Sequence, residues 1–258
     1  MYVGYNGKLL RAPLRAFTAL LIFTLLLTAQ SPVRVEYSCP AEDVDSFGLT
    51  CSADDPCPVF LELAWVESAG ARLLVTGNLH TATTTLYGIL LLSEDAGKTW
   101  TEPIMRLRSA ALDQIQFIDL QTGWISGQKI EPLPKDSFLL LTTDGGTTWR
   151  QRPLFDETRV GSIAQFWFES RTIGELVFDR SQGASTLQEL HQTMTGGESW
   201  APARVSRTVI RLQKAQPRDS ASWRARADAA TKTYRIERRA GDKWESVASF
   251  LIEIGECK

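Results

Sequence analysis

The sequence predicts an all-β chain folded as a small or partial β-propeller of about four to five four-stranded antiparallel blades. A short motif recurs four times at near-even spacing, each copy follows apolar strand-and-turn segments, and no stretch beyond the first thirty residues keeps a helical apolar period.

The motif is clearest as Ser93-Glu94-Asp95-Ala96-Gly97-Lys98-Thr99-Trp100 and Thr142-Thr143-Asp144-Gly145-Gly146-Thr147-Thr148-Trp149. It returns weakened as Thr193-Met194-Thr195-Gly196-Gly197-Glu198-Ser199-Trp200 and in outline as Gly241-Asp242-Lys243-Trp244. Successive tryptophans are 49, 51 and 44 residues apart, the length of a four-stranded blade. Upstream lie paired strand cues at residues 63–67 and 72–77, 115–119 and 124–127, and 165–169 and 174–178; in the fourth unit Trp223 and residues 234–238 are the clearest. Segments 86–92 and 137–141 run apolar into the motif, as strands packed on both faces between neighbouring blades would, and ring closure would remove exposed edges. The expected repeats are 59–105, 106–155, 156–205 and 206–254, within a domain spanning 59–258.

The motif is legible as a folding device. A tight hairpin leaves inward-pointing N–H groups without strand partners, and a carboxylate at its start can accept them. Asp95 and Asp144 hold that place, opened by Ser93 and Thr142. Gly97, Gly146, Gly197 and Gly241 supply positive φ, and Trp100, Trp149, Trp200 and Trp244 cover the hairpin. Thr195 replaces the aspartate in the third copy, so that hairpin must be satisfied another way. A calcium loop would need further oxygen ligands that are missing here, and neither a metal nor a cofactor is implied.

At the N-terminus Lys8, Arg11 and Arg15 precede an apolar run over 16–27, then Thr28 and Ala29. This pattern predicts a signal peptide over 1–29 and an exported protein, periplasmic or secreted. A single membrane anchor is the competing reading, but the run falls short of the ~20 residues that span hydrocarbon, so membrane association is peripheral at most. A Cys-containing segment, 30–58, follows. The four cysteines allow three disulfide connectivities. Cys51 with Cys57 and Cys39 with Cys257 is preferred, because the second bond ties the ends of the mature chain together; the spacing fits no usual zinc site.

Of the 258 residues 43% are hydrophobic and 22% charged, and the formal net charge is -2. This is a globular composition, and with charges read as scattered along the chain no nucleic-acid partner is expected.

On residues 117–127 and 142–149 the sequence resembles the BNR or Asp-box repeat family, whose members include sialidases, sortilin-like receptors and photosystem II assembly factor-like propellers, and looks most like the last. The resemblance covers roughly residues 59 to 250 and implies that Asp95 and Asp144 are structural positions on the rim, away from the ligand face. Family propellers usually have six or more blades, whereas this chain has room for four or five, as a small closed ring or an incomplete one that needs a partner. The sialidase Arg-Ile-Pro motif is absent, and Arg106, Arg159 and Arg211 stand isolated. His80 and His191 are expected to be structural; of the tryptophans outside the motif, Trp65, Trp124, Trp167 and Trp223, the three in predicted strands are expected to be core. The expected function is a non-catalytic binding or assembly module of the cell envelope with a protein partner. The alternatives are a sialidase-like hydrolase and a carbohydrate-binding receptor.

Overall fold

The computed structural model describes residues 1, 31–131, 133–212 and 222–258. The expected signal peptide lies outside them. After the short helix α1 (Ala41–Ser46) every regular element is a strand. The first sheet holds β1 (Cys57–Ala69), β2 (Arg72–His80), β3 (Thr85–Ser93) and β4 (Leu107–Arg108). The second holds β5 (Ala110–Phe117), β6 (Gly123–Ile130), β7 (Pro134–Thr142) and β8 (Arg150–Pro153). The third holds β9 (Ser162–Phe168), β10 (Gly174–Asp179), β11 (Gln188–Thr193) and β12 (Ala201–Ser206). Each of these three is an antiparallel meander in sequence order. The fourth sheet has three strands, β13 (Trp223–Asp228), β14 (Thr233–Ala240) and β15 (Lys243–Leu251), after which β16 (Glu253–Cys257) pairs with the start of β1.

The chain is a small or partial propeller, and apolar clusters join its sheets at three junctions among the described residues. Ile236, Ala248 and Phe250 of the fourth sheet share a core cluster with Val59, Leu61 and Val75 of the first. Leu74, Leu90 and Leu92 join Leu112, Ile115 and Phe138 between the first and second. Trp124 and Leu139 join Phe166, Phe168 and Leu176 between the second and third. Third strands such as β3 are buried along most of their length on both faces, which accounts for their continuous apolar sequence, whereas β2 is as buried but carries Thr76 and Asn78. Among the described residues no apolar cluster links the third sheet to the fourth.

Side-chain clamps fix the second junction from the inside. Gln116 donates to Phe168 O (2.8 Å) and accepts from Phe168 N–H (2.8 Å); Gln114 holds Phe166 by the same pair of bonds (3.0 and 3.1 Å). Gln165 of β9 repeats the device on the far side of the third sheet, donating to Ile210 O (2.7 Å) and accepting from Leu212 N–H (3.1 Å). Residues 210–212 thus occupy the place where the inner strand of a following blade would begin.

The ends are tied at the junction of the fourth and first sheets. Cys39–Cys257 and Cys51–Cys57 are the two disulfides, the expected pairing, and among the described residues no cysteine is free. Val33 bridges β15 in parallel at Phe250, partly filling the missing fourth strand of that sheet. The buried Asp43 of α1 accepts from Tyr37 Oη (2.7 Å), Tyr87 Oη (2.8 Å) and Arg108 (3.0 Å), pinning the N-terminal segment to the first sheet.

Candidate functional site

Three motif copies fall between the third and fourth strands of their sheets and share one geometry. Asp95 accepts from Lys98 N–H (3.0 Å), Thr99 N–H (2.9 Å) and Thr99 Oγ1 (2.7 Å), while Ser93 Oγ accepts from Gly97 N–H (2.7 Å). Asp144 accepts from Thr148 N–H (2.9 Å), and Thr142 Oγ1 accepts from Gly146 N–H (2.9 Å). In the third copy hydroxyls take both tasks: Thr195 Oγ1 accepts from Ser199 N–H (3.0 Å) and Thr193 Oγ1 from Gly197 N–H (3.0 Å). Gly97, Gly146 and Gly197 sit at φ of 94°, 89° and 94°, which a side chain would strain. Trp100 and Trp149 each donate Nε1–H to the carbonyl of that glycine, at 3.1 and 2.9 Å.

The fourth copy is corrected by the structure. Gly241 lies in a tight hairpin between the second and third strands of its sheet, and Trp244 lies on β15 beneath the Arg224 guanidinium, 4.2 Å from its ring centre. The third strand of that sheet ends at Leu251 without a box. A glycine-aspartate turn satisfies an ordinary hairpin equally well, which explains the outline match and its shorter 44-residue spacing.

The Thr99 N–H and hydroxyl hold Asp95 down to about 2. At Asp144 burial pushes upward but is outweighed by the Thr148 hydroxyl and N–H, and it also lies at about 2. Both folded values lie below the ordinary 3.8, so their stabilisation is present above about pH 4 and is lost as pH falls towards 2. Asp144→Ala is expected to cost about 1–2 kcal/mol, as loss of a side-chain cap does. Asp144→Asn should flatten the acid limb of stability, read as urea midpoints at pH 5 and about pH 2.5. An unchanged midpoint at both pH values would contradict this role.

Among the described residues, a cleft of about 590 Å³ opens between the loop that follows β8 and the third box. Its walls include Phe155, Asp156, Glu157, Arg159, Glu198 and Trp200. Trp200 covers its box by packing edge-on to Phe168 (5.9 Å) yet keeps part of its ring open. Phe155 packs against Phe178 (4.9 Å) and His191 (5.3 Å), and Arg159 stacks on it at 4.2 Å. Glu189 anchors the charges behind this wall, 3.0 Å from Arg180, 3.2 Å from His191 Nε2 and 3.7 Å from Arg159. Burial raises Glu189, but hydrogen bonds from Arg180 and His191 outweigh it and leave the group below its usual value. Burial pushes His191 down, more than Glu189 lifts it, so the ring is neutral near pH 7 and donates from Nε2. At the mouth Glu198 is held by Arg150 and by Arg152 Nε at 2.8 Å. Among the described residues the exposed Asp156 and Glu157 carry no ion pair. The result is a preset aromatic and charged recess, suited to hold a polar ligand against a ring face.

His80 is at a strand end and bonds the Thr81 carbonyl at 2.8 Å, and His191 is structural in its burial. Trp124 is core, donating to Gly196 O (2.9 Å) and stacking on Phe168 at 3.7 Å, whereas Trp65, Trp167 and Trp223 are only half-buried, which corrects the expectation that the strand tryptophans are core. Sequence reasoning missed Phe155, Asp156 and Glu157, which sit in a loop without a motif.

No family model matches the chain, and no curated protein matches it. Among solved structures it is similar to YCF48 bound to a D1 peptide, at 20% identity over 74% of this chain and 55% of that one, with a TM-score of 0.39. It is also similar to the GH74 xyloglucanase from Xanthomonas campestris, at 19% identity over 50% and 18% of the two chains (TM-score 0.36). A third likeness is to an ulvan lyase of polysaccharide lyase family PL25, at 10% identity over 79% and 54% (TM-score 0.39). The chain spans 55%, 18% and 54% of the lengths of these proteins, and at such scores the likenesses carry no argument about function.

Proposed function

We propose that the protein is an exported, non-catalytic binding module that holds a protein partner as part of an envelope assembly, with the cleft beside Trp200 as one ligand seat. The carrying observation is that cleft: the half-buried Trp200 indole and two carboxylates with no ion pair among the described residues stand over charges already locked by Glu189 and Glu198. Such a recess offers orientation and a rigid ring at small ordering cost. Two disulfides are the habit of an oxidising compartment and accord with export.

A photo-reactive amino acid at position 157, with one at the exposed position 54 as control, tests the reading in extracts of the producing cells. A discrete protein adduct from 157 and none from 54, weakened by Asp156→Ala, is expected. Absence of that adduct, together with turnover of a glycan in a hydrolysis panel, would overturn the reading in favour of the hydrolase.

A further inference from the structure

The far side of the third sheet, beyond the cleft and facing away from the second sheet, meets no apolar cluster or box of a neighbouring sheet among the described residues. At the junction of the second and third sheets, Arg150 and Arg152 on the outer strand β8 are neutralised by Glu198, presented by the box of the next blade. Arg152 lies opposite Leu139, three residues before the box-opening Thr142. Arg204 lies opposite Leu190, three residues before the box-opening Thr193, and so holds the equivalent position one blade on. No box follows it in the fourth sheet. Among the described residues Arg204, Arg207 and Arg211 are exposed and none pairs with a carboxylate.

Other features of that side agree. The Gln165 clamp holds residues 210–212 where a next inner strand would start. β12 is exposed along nearly its whole length, and Pro202 removes only one donor from its free edge. Val205 and Val209 are 64% and 63% exposed. The outer face of the fourth sheet does not complete the junction, for it too is basic, with Arg224 and Arg235 paired to Glu237 and Asp228 while Arg226 and Arg239 have no carboxylate partner among the described residues. In sequence, residues 201–244 hold 12 Lys and Arg against 4 Asp and Glu in a chain whose net charge is only -2. This corrects the reading of the charge as scattered.

We propose that the third sheet docks an extended acidic polypeptide segment of a partner protein, which pairs with the free edge of β12 and offers a carboxylate to Arg204 where Glu198 serves Arg152. The free backbone edge favours a polypeptide over a polyuronate, because only a polypeptide can continue the ladder of backbone hydrogen bonds. Alternating apolar and acidic residues would set carboxylates on the face of Arg204 and an apolar side chain on the opposite face, against Val205, while Arg207, just past the end of β12, adds to the positive field.

The test uses a fluorescein-labelled ten-residue peptide alternating Val and Glu, read by anisotropy against the full mature chain. The controls are the same peptide with Lys for Glu and a polygalacturonate of matched charge. The Glu peptide is expected to bind, more weakly as salt rises. R204E/R207E is expected to weaken it about tenfold or more. Charge reversal at the exposed, distant Arg34 should leave it unchanged, and near-UV circular dichroism should be the same for all three proteins. No binding of the Glu peptide, equal binding by R204E/R207E, preferential binding of polygalacturonate, or self-association of the chain through these arginines would each overturn the proposal.

Discussion

Replacing Cys39 and Cys257 together by serine is expected to lower stability by about 2–5 kcal/mol, or roughly 5–15 °C in Tm. The bond closes a loop of 218 residues, and beside it β16 pairs with β1 with Cys57 opposite Cys257. Cutting it frees the strand that ties the chain's end to the first sheet and loosens the N-terminal segment that carries Val33 to β15. The Cys51–Cys57 bond spans only 6 residues, so in the chain-entropy account its loss costs less than half as much. Differential scanning calorimetry of the two double variants separates them. An equal shift in both would mean that the junction of fourth and first sheets is held by its apolar cluster alone.

Trp124→Ala is expected to cost about 3–5 kcal/mol, the loss typical of a large buried ring. The indole is 1% exposed, stacks on Phe168 at 3.7 Å and donates across the junction to Gly196 O at 2.9 Å, joining the second blade to the third. Trp124→Phe keeps a ring and loses the donor, so its cost should fall to about 1–2 kcal/mol with the Gly196 carbonyl left unsatisfied. Urea unfolding measures both. A loss below about 1 kcal/mol for the alanine variant would show that the glutamine clamps, not this ring, hold the junction.

The parts legible in the sequence are those whose chemistry is local. A box contains its own donors and acceptors within eight residues, so Asp95 and Asp144 could be placed by inspection, as could the need for a substitute in the third copy, met by the Thr195 hydroxyl, which accepts from Ser199 N–H. The third strands were legible because burial on both faces removes the polar alternation. The Gly241 to Trp244 segment misled because hairpins of any kind favour a glycine-aspartate pair. Contacts between blades were hidden: Gln116 meets Phe168, and Arg152 meets Glu198, across about fifty residues with no motif to link them. The unfinished junction left one sequence trace, the basic excess over 201–244, which the near-neutral total conceals.

The central claim is that this propeller is partial, with its third and fourth sheets unjoined. Short-span cross-linking of engineered cysteine pairs in the folded protein tests it most directly. Arg152→Cys with Glu198→Cys, placed across the packed junction of the second and third sheets, should join readily. Arg204→Cys with Arg239→Cys should remain unjoined under the same conditions at every cross-linker length that suffices for the first pair. Efficient joining of the second pair would mean that the ring closes on itself, leaving no far side of the third sheet for a partner.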